Sequence, residues 1–192
     1  NTAGVITSRS DFAKQSDWTV TWRGGAVLNI AQAVALRAAA YTGLRQPTLN
    51  ELYRPFTVFP ITTQANATLR NERQEGFEVG VDLRPWQGAQ VSVTGFDNRI
   101  EGAIANVTLN ATLRQRQNVA EIRARGIEAS AEVTQGIAQL GASLAWTDAE
   151  LRNGPASVLT GKRPAQTPRI AASGTLRLTP AQGWQIIGTL RH

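Results

Sequence analysis

The side chains best suited to chemistry in this chain are arginines and carboxylates, and they fall into two groups. Arg45, Tyr53, Arg54, Arg70, Arg99, Arg114 and Arg116 lie on or beside long polar connections. A guanidinium is a planar fork that grips carboxylate or phosphate through paired hydrogen bonds, and a neighbouring aromatic ring adds a flat contact. That set suits the capture of an anionic, oxygen-rich ligand from outside. Arg37, Glu78, Asp82, Arg84, Glu128, Glu132, Arg169 and Arg177 instead occupy the polar side of alternating segments, where they are expected to pair with one another. Covalent chemistry has little to work with. Nucleophilic hydrolysis needs a base beside its nucleophile, and the one histidine is His192. The sequence has no cysteine, which removes disulfides and thiolate ligands, and no His or Cys cluster suggests a metal site. The expectation is a chain that is not an enzyme and carries no cofactor or metal.

Charge distribution narrows the partners. Twenty Lys and Arg against 14 Asp and Glu give a net charge of +6. Lysine occurs only at Lys14 and Lys162, and the arginines are scattered along the chain. Nucleic-acid binders cluster their basic residues on one face or helix, so nucleic acid is not an expected partner.

The elements that position these residues alternate with period two. Phe77, Val79, Val81 and Leu83 oppose Glu78, Gly80, Asp82 and Arg84; Leu140, Ala142, Leu144 and Trp146 oppose Gln139, Gly141, Ser143 and Thr147; Leu176 and Leu178 oppose Thr175 and Arg177. Segments 18–30, 33–44, 72–85, 89–106, 117–134, 138–148, 169–178 and 183–192 all read as strands. In 89–106 the phase breaks, which predicts a one-residue bulge near Gly95. Upstream of Gly126 the phase is not clear. Short turns near 30–33, 85–88, 135–137 and 180–183 alternate with long connections at 45–71, 107–117 and 149–166. The fold class is therefore all-β, an antiparallel meander of about eight long strands.

Long strands, alternating faces and loops that are long at one end only match a transmembrane barrel. Phe77, Val79, Val81, Leu140, Leu144, Trp146, Leu176 and Trp184 would face lipid, with the polar set facing the lumen. Trp86 and Trp184 at short turns, and Trp18, Trp22 and Trp146 towards the long loops, resemble two aromatic girdles. No run reaches the roughly 18 apolar residues of a spanning helix. Asn1 opens the chain without a leader-like segment, and His192 falls inside a strand. The whole of 1–192 is thus expected to be a partial barrel domain that would not insert alone, because lipid leaves open sheet edges unsatisfied.

Several motifs carry a family resemblance. Tyr41-Thr42-Gly43-Leu44-Arg45-Gln46-Pro47-Thr48-Leu49-Asn50-Glu51-Leu52-Tyr53, then Asn66-Ala67-Thr68-Leu69 and Asn71-Glu72-Arg73-Gln74-Glu75-Gly76, resemble the barrel of TonB-dependent outer-membrane receptors. Arg99-Ile100-Glu101-Gly102-Ala103-Ile104, Gln117-Asn118-Val119 and Arg125-Gly126-Ile127-Glu128 extend the likeness. Leu44, Gln46 and Ala67 depart from the usual Phe, small residue and Pro. Some heme receptors place a ligand histidine between the two boxes, and this chain has none there.

The resemblance implies one stretch of a 22-stranded transmembrane barrel with a plugged lumen. The plug, signal peptide and C-terminal strands would lie outside this chain. It further implies TonB-dependent uptake of a metal chelate, such as a ferric siderophore or cobalamin, across the outer membrane of a Gram-negative bacterium. Implied partners are outer-membrane lipid and lipopolysaccharide, the metal-chelate ligand, and the TonB complex through N-terminal parts. A passive porin-type channel and a soluble all-β binding module are the alternatives. Pro47–Tyr53 is expected to form a helical turn capped at its start. Three Asn-x-Thr triplets, at Asn66, Asn106 and Asn110, match a glycosylation pattern that has no meaning in a bacterial outer membrane.

Overall fold

The computed structural model describes residues 12, 14, 16–119, 121–152, 160–164 and 167–192. In chain order the elements are β1 (Arg23–Ala31), β2 (Val34–Arg45), α1 (Leu49–Tyr53), β3 (Phe56–Val58), β4 (Ile61–Gln64), β5 (Glu72–Leu83) and β6 (Ala89–Glu101). They continue with β7 (Ile104–Asn110), β8 (Leu113–Asn118), β9 (Glu121–Gln135), β10 (Ala138–Arg152), β11 (Ile170–Leu178) and β12 (Ile186–Arg191). Eight strands form one antiparallel sheet, ordered β1-β2-β5-β6-β9-β10-β11-β12. Only the excursions after β2 and β6 interrupt chain order, so the sheet is a meander as expected. Strands β9 and β10 run 15 residues each, far beyond the five or six usual in soluble sheets. At the short end they turn through Gly136-Ile137 alone, and Gly136 takes the positive φ of 56° that such a tight hairpin demands.

Register fixes the two faces. Leu36, Val81, Val93, Ala129, Leu144 and Ala172 lie in line across six strands. One residue along, Arg37, Gly80, Thr94, Glu128 and Ala145 line the other face. Among the described residues nothing covers the apolar side. Phe77, Leu140, Leu144, Trp146, Ile170 and Leu176 are each 44–54% exposed, and no large described side chain is fully buried. A soluble sandwich would put a second layer there, because water tolerates apolar patches of only a few hundred Å². A single sheet with one bare apolar face and one polar face is a piece of membrane barrel wall.

Two expectations are corrected. Strand β6 pairs in unbroken register with β9 from Ala89 to Glu101 and with β5 from Val91 to Glu101, so no bulge exists near Gly95. Among the described residues, the only irregularity in the large sheet lies between Asn29 and Ala31. The connection 107–117 is also not open loop. The strand read as 89–106 ends at Glu101, and Ile104–Asn110 and Leu113–Asn118 form a hairpin of their own. Its strand β8 pairs in parallel with β4 from the other excursion. A second sheet, β3-β4-β8-β7, thereby joins two long loops into one body. The third long connection, 149–166, falls partly outside the described residues.

Candidate functional site

The polar face is organised by large side chains lying over glycines of the next strand. Tyr41 sits across from Gly76, Arg37 from Gly80 and Phe96 from Gly126. A Cβ on Gly76 would collide with the Tyr41 ring and one on Gly126 with the Trp146 carbonyl and the Phe96 ring, while one on Gly80 would meet the Val93 carbonyl and crowd the Arg37 guanidinium at 3.1 Å. Settled this way, Arg37 donates to Asp82 at 3.1 Å and to Ser92 and Thr94 at 2.6 Å each. Tyr41 Oη donates to Glu78 at 2.8 Å and lies 3.1 Å from Asn98 Oδ1. Each such bond crosses strands, so the polar wall is stitched laterally by side chains as well as by the ladder.

Of the residues expected on this face, Arg37, Glu78, Asp82, Glu128, Glu132 and Arg177 share it by register. Arg37 pairs with Asp82. Arg177 instead meets Gln139 at 3.0 Å. Arg84 lies just beyond β5, where its N–H bonds the Ala33 carbonyl. Arg169 precedes β11, its carbonyl accepting from Thr147. A concavity of about 550 Å³ follows the wall, lined in part by Arg37, Ser92, Thr94, Glu128, Ser130 and Ser143.

The opposite face carries Phe77, Val79, Val81, Leu140, Leu144, Trp146 and Leu176, with Trp184 in the turn before β12. Its apolar band stops sharply. Val79, Gly95, Ile127 and Trp146 form the last apolar row. Next come Phe77, Asp97, Arg125 and Asp148, then Glu75, Arg99, Arg123 and Glu150, then Arg73, Glu101, Glu121 and Arg152. This charged array is laced by Arg123–Asp97, Arg99–Glu121 at 2.7 Å, Arg99–Glu101 at 3.2 Å and Arg125–Asp148 at 3.7 Å. Arg99, expected among the ligand-binding arginines, belongs to this outward array.

The remaining expected ligand residues gather on the loop body. Helix α1 is capped as foreseen: Glu51 N–H donates to Thr48 Oγ1, and Thr48 N–H donates back to the Glu51 carboxylate at 2.8 Å. Arg45 anchors it by reaching Glu51 at 3.1 Å and Glu72 at 2.6 Å. Glu72 also accepts the Ile104 N–H at 2.7 Å, so a single cluster links β2, α1, β5 and β7. The Glu72 hydrogen bond raises the Arg45 pKa and fixes its charge. Arg116 donates to the Asn50 carbonyl and lies 5.2 Å over the Phe56 ring. Tyr53 packs on Phe12 with ring centroids 4.2 Å apart. Arg54 and Arg70 are exposed, and Arg114 is half-buried in β8. The body therefore spends Arg45 and Arg116 on bracing and leaves the Arg54 and Arg70 side chains exposed.

The sequence motifs contain Asn66 and Asn118 but give no sign of the bracing these side chains provide. Asn118 accepts the Arg70 N–H at 2.9 Å and donates to the carbonyls of Arg70 and Gly102 at 3.0 and 2.6 Å. Asn66 donates to the Arg116 carbonyl at 2.9 Å. The Asn-x-Thr triplets at Asn66 and Asn110 are turns: each Asn oxygen accepts from the Thr N–H two residues on. The few well-buried side chains cluster here too, with Leu69, Ala103, Val119 and Thr63 at 3–6% exposure. Among the described residues no group of His, Cys, Asp and Glu is placed to hold a metal ion.

Comparison with known proteins agrees with this architecture. The sequence matches the family described as TonB dependent receptor-like, beta-barrel, over residues 1–192. The vitamin B12 transporter BtuB of Photobacterium profundum is 28% identical over 138 residues, covering 68% of this chain and 21% of that protein. Among solved structures, the siderophore receptor PirA of Acinetobacter baumannii superposes with a TM-score of 0.67 at 12% identity, over 87% of this chain and 27% of that one. A mutant of the ferric enterobactin receptor PfeA of Pseudomonas aeruginosa, in complex with enterobactin, gives 0.68 at 16%, over 89% and 27%. The copper transporter OprC gives 0.66 at 19%, over 87% and 25%. The chain thus spans about a fifth to a quarter of these relatives. With its family match running the full length, this chain belongs to the TonB-dependent receptor β-barrel family.

Proposed function

We propose that this chain forms part of the wall and outer loops of an outer-membrane receptor that imports a metal chelate with energy delivered through TonB. The observation that carries the reading is the joining of two long loops into one braced body above a polar, arginine- and carboxylate-bearing wall. Arg54 and Arg70 are exposed on that body and are the side chains it offers to a ligand arriving from outside. Their forked donors and the neighbouring Tyr53 ring suit catecholate, carboxylate or phosphate oxygens. The names of relatives span cobalamin, siderophore and copper uptake, and support a metal or its chelate as cargo.

The test uses a complete receptor carrying this segment, produced in cells lacking other receptors for the chosen chelate. Radiolabelled ferric siderophore or cobalamin is expected to accumulate in the cells and to stop accumulating when the proton gradient is collapsed. Uptake that continues unchanged after collapse would identify a passive pore instead.

A further inference from the structure

On the polar face, β10 and β11 carry nothing larger than threonine over three successive rows: Ala145 beside Ala171, Ser143 beside Ser173 and Gly141 beside Thr175. Glu128 and Glu132 of β9 stand on one side of these rows and Arg191 of β12 on the other. Two concavities, of about 550 and 160 Å³, succeed one another along this trough, the first over Ser143 and Ser173 and the second over Gly141 and Thr175. We propose that cargo crosses the lumen along the trough, against the wall formed by β10 and β11, an inference that rests on the transport reading above.

Shape is the first argument. From Ala145 to Gln139 the trough follows the strands for about 20 Å, from the long-loop side of the sheet towards the short turns. Among the described residues, nothing lies within 4 Å of where a Cβ on Gly141 would sit. Gly76 and Gly80 of β5 differ, being crowded by the Tyr41 ring and the Arg37 guanidinium. The second argument is the state of the hydroxyls. Ser143 Oγ lies 2.8 Å from Ser173 Oγ, and Thr175 Oγ1 lies 3.1 Å from Thr189 Oγ1. The floor is thus polar and uncharged, and its hydroxyls are bonded to one another, so it wets readily without gripping a passing chelate through an ion pair. The third is the contrast with the neighbouring wall. Across β2, β5 and β6, Arg37 ties Asp82, Ser92 and Thr94 together, and Tyr41 reaches Glu78 and Asn98. Cargo moving there would have to break charge-assisted bonds, which are roughly twice as strong as neutral ones. Along β10 and β11 such a bond is met only towards the short turns, from Arg177 to Gln139 at 3.0 Å.

The experiment uses a complete, cysteine-free receptor carrying this segment, in cells lacking other receptors for the probe, with Ser143→Cys, Ser173→Cys and Ala35→Cys made singly. Ala35 lies in the same row as Ser143 on the same face, four strands away on β2. Each variant is labelled with a methylthio group or with a bulky maleimide during energised uptake of radiolabelled cobalamin or ferric enterobactin. Mass spectrometry reads the labelling, and heat-modifiable gel migration confirms a folded barrel. The bulky adduct on Ser143→Cys or Ser173→Cys is expected to lower uptake tenfold or more, with surface binding of the probe in the cold within twofold of wild type. The methylthio adducts, and the bulky adduct on Ala35→Cys, are expected to leave uptake within twofold. An equal loss from the bulky adduct on Ala35→Cys would overturn the proposal, as would full uptake by completely labelled Ser143→Cys and Ser173→Cys. Trough cysteines that react after unfolding but never during uptake would overturn it too. Loss of surface binding together with uptake would assign the trough to capture and overturn its role in passage. Uptake by the unlabelled variants that survives collapse of the proton gradient would overturn the transport reading itself, a result separate from any effect of the label.

Discussion

The Tyr41 ring fills the space that a side chain on Gly76 would need. The two residues are register partners on β2 and β5, and the phenol continues past the glycine to Glu78 and Asn98. Gly76→Ala must displace the ring, and neither bond survives such a shift. The expected cost is about 1–3 kcal/mol, typical of overpacking, seen as a lower urea midpoint for the folded barrel. Gly95→Ala is the control: its added Cβ would meet nothing closer than 4.0 Å, and the midpoint should not move measurably. Equal effects of the two substitutions would mean that the glycines are needed for backbone freedom and not for the ring.

The same pairing explains where sequence reading went astray. Alternation located all eight strands and both faces in the apolar band, because there one side must be oily and the other wet. Above the band this contrast reverses. Asp97, Arg99 and Glu101 continue the outward face, while Phe96 turns inward over Gly126 and Ile100 follows it. Following the apolar residues past Gly95 therefore suggested a bulge where the strand is regular. The loss of phase before Gly126 has the same origin. The parallel pairing of β4 with β8 joins Thr62 to Leu113 and Gln64 to Gln115, residues far apart in the chain, and nothing in either short segment encodes its partner. The capped turn at Thr48 was legible because Thr48 and Glu51 sit within one turn of each other.

Leu144 and Ser143 are adjacent in β10 but point to opposite faces. Leu144→Arg places a charge in the middle of the apolar band and is expected to cost about 2–4 kcal/mol. Ser143→Arg projects into the polar wall, next to Ser173, and should be tolerated within about 1 kcal/mol. Folded fraction after refolding into lipid, read by gel migration, separates the two. Comparable loss for both would contradict the assignment of the faces.

Glu51 gives the loop body a pH dependence. Burial pushes its carboxyl up, but the Thr48 N–H, the Arg45 guanidinium and the Thr48 hydroxyl outweigh it, leaving the pKa below the ordinary 4.5. A carboxyl lowered on folding stabilises fully above its unfolded value, and the contribution disappears as pH falls through the lower folded value. Protease cleavage within 45–72 should therefore be slow and constant above about pH 5.5 and rise below about pH 4. Glu51→Gln should be cleaved several-fold faster at neutral pH and lose most of the acid-dependent rise. An unchanged acid response in that variant would show that Glu51 is not the titrating group.

Asn118 holds the two long loops together with one side chain, accepting from Arg70 N–H and donating to the Arg70 and Gly102 carbonyls. Asn118→Ala removes all three bonds and should cost about 1–3 kcal/mol, confined to the loop body. The large sheet has its own ladder and should keep its urea midpoint. Hydrogen exchange should then quicken at residues 61–71 and 102–118 and stay unchanged in β9 and β10. Asn118→Asp sharpens the argument, since it keeps the shape and the acceptor for Arg70 N–H but loses both donors. Two carbonyls would then face a carboxylate, so Asp should loosen the loops at least as much as Ala. Wild-type protection in Asn118→Asp would show that the single Arg70 N–H bond suffices, and that the donated pair contributes nothing to joining the loops.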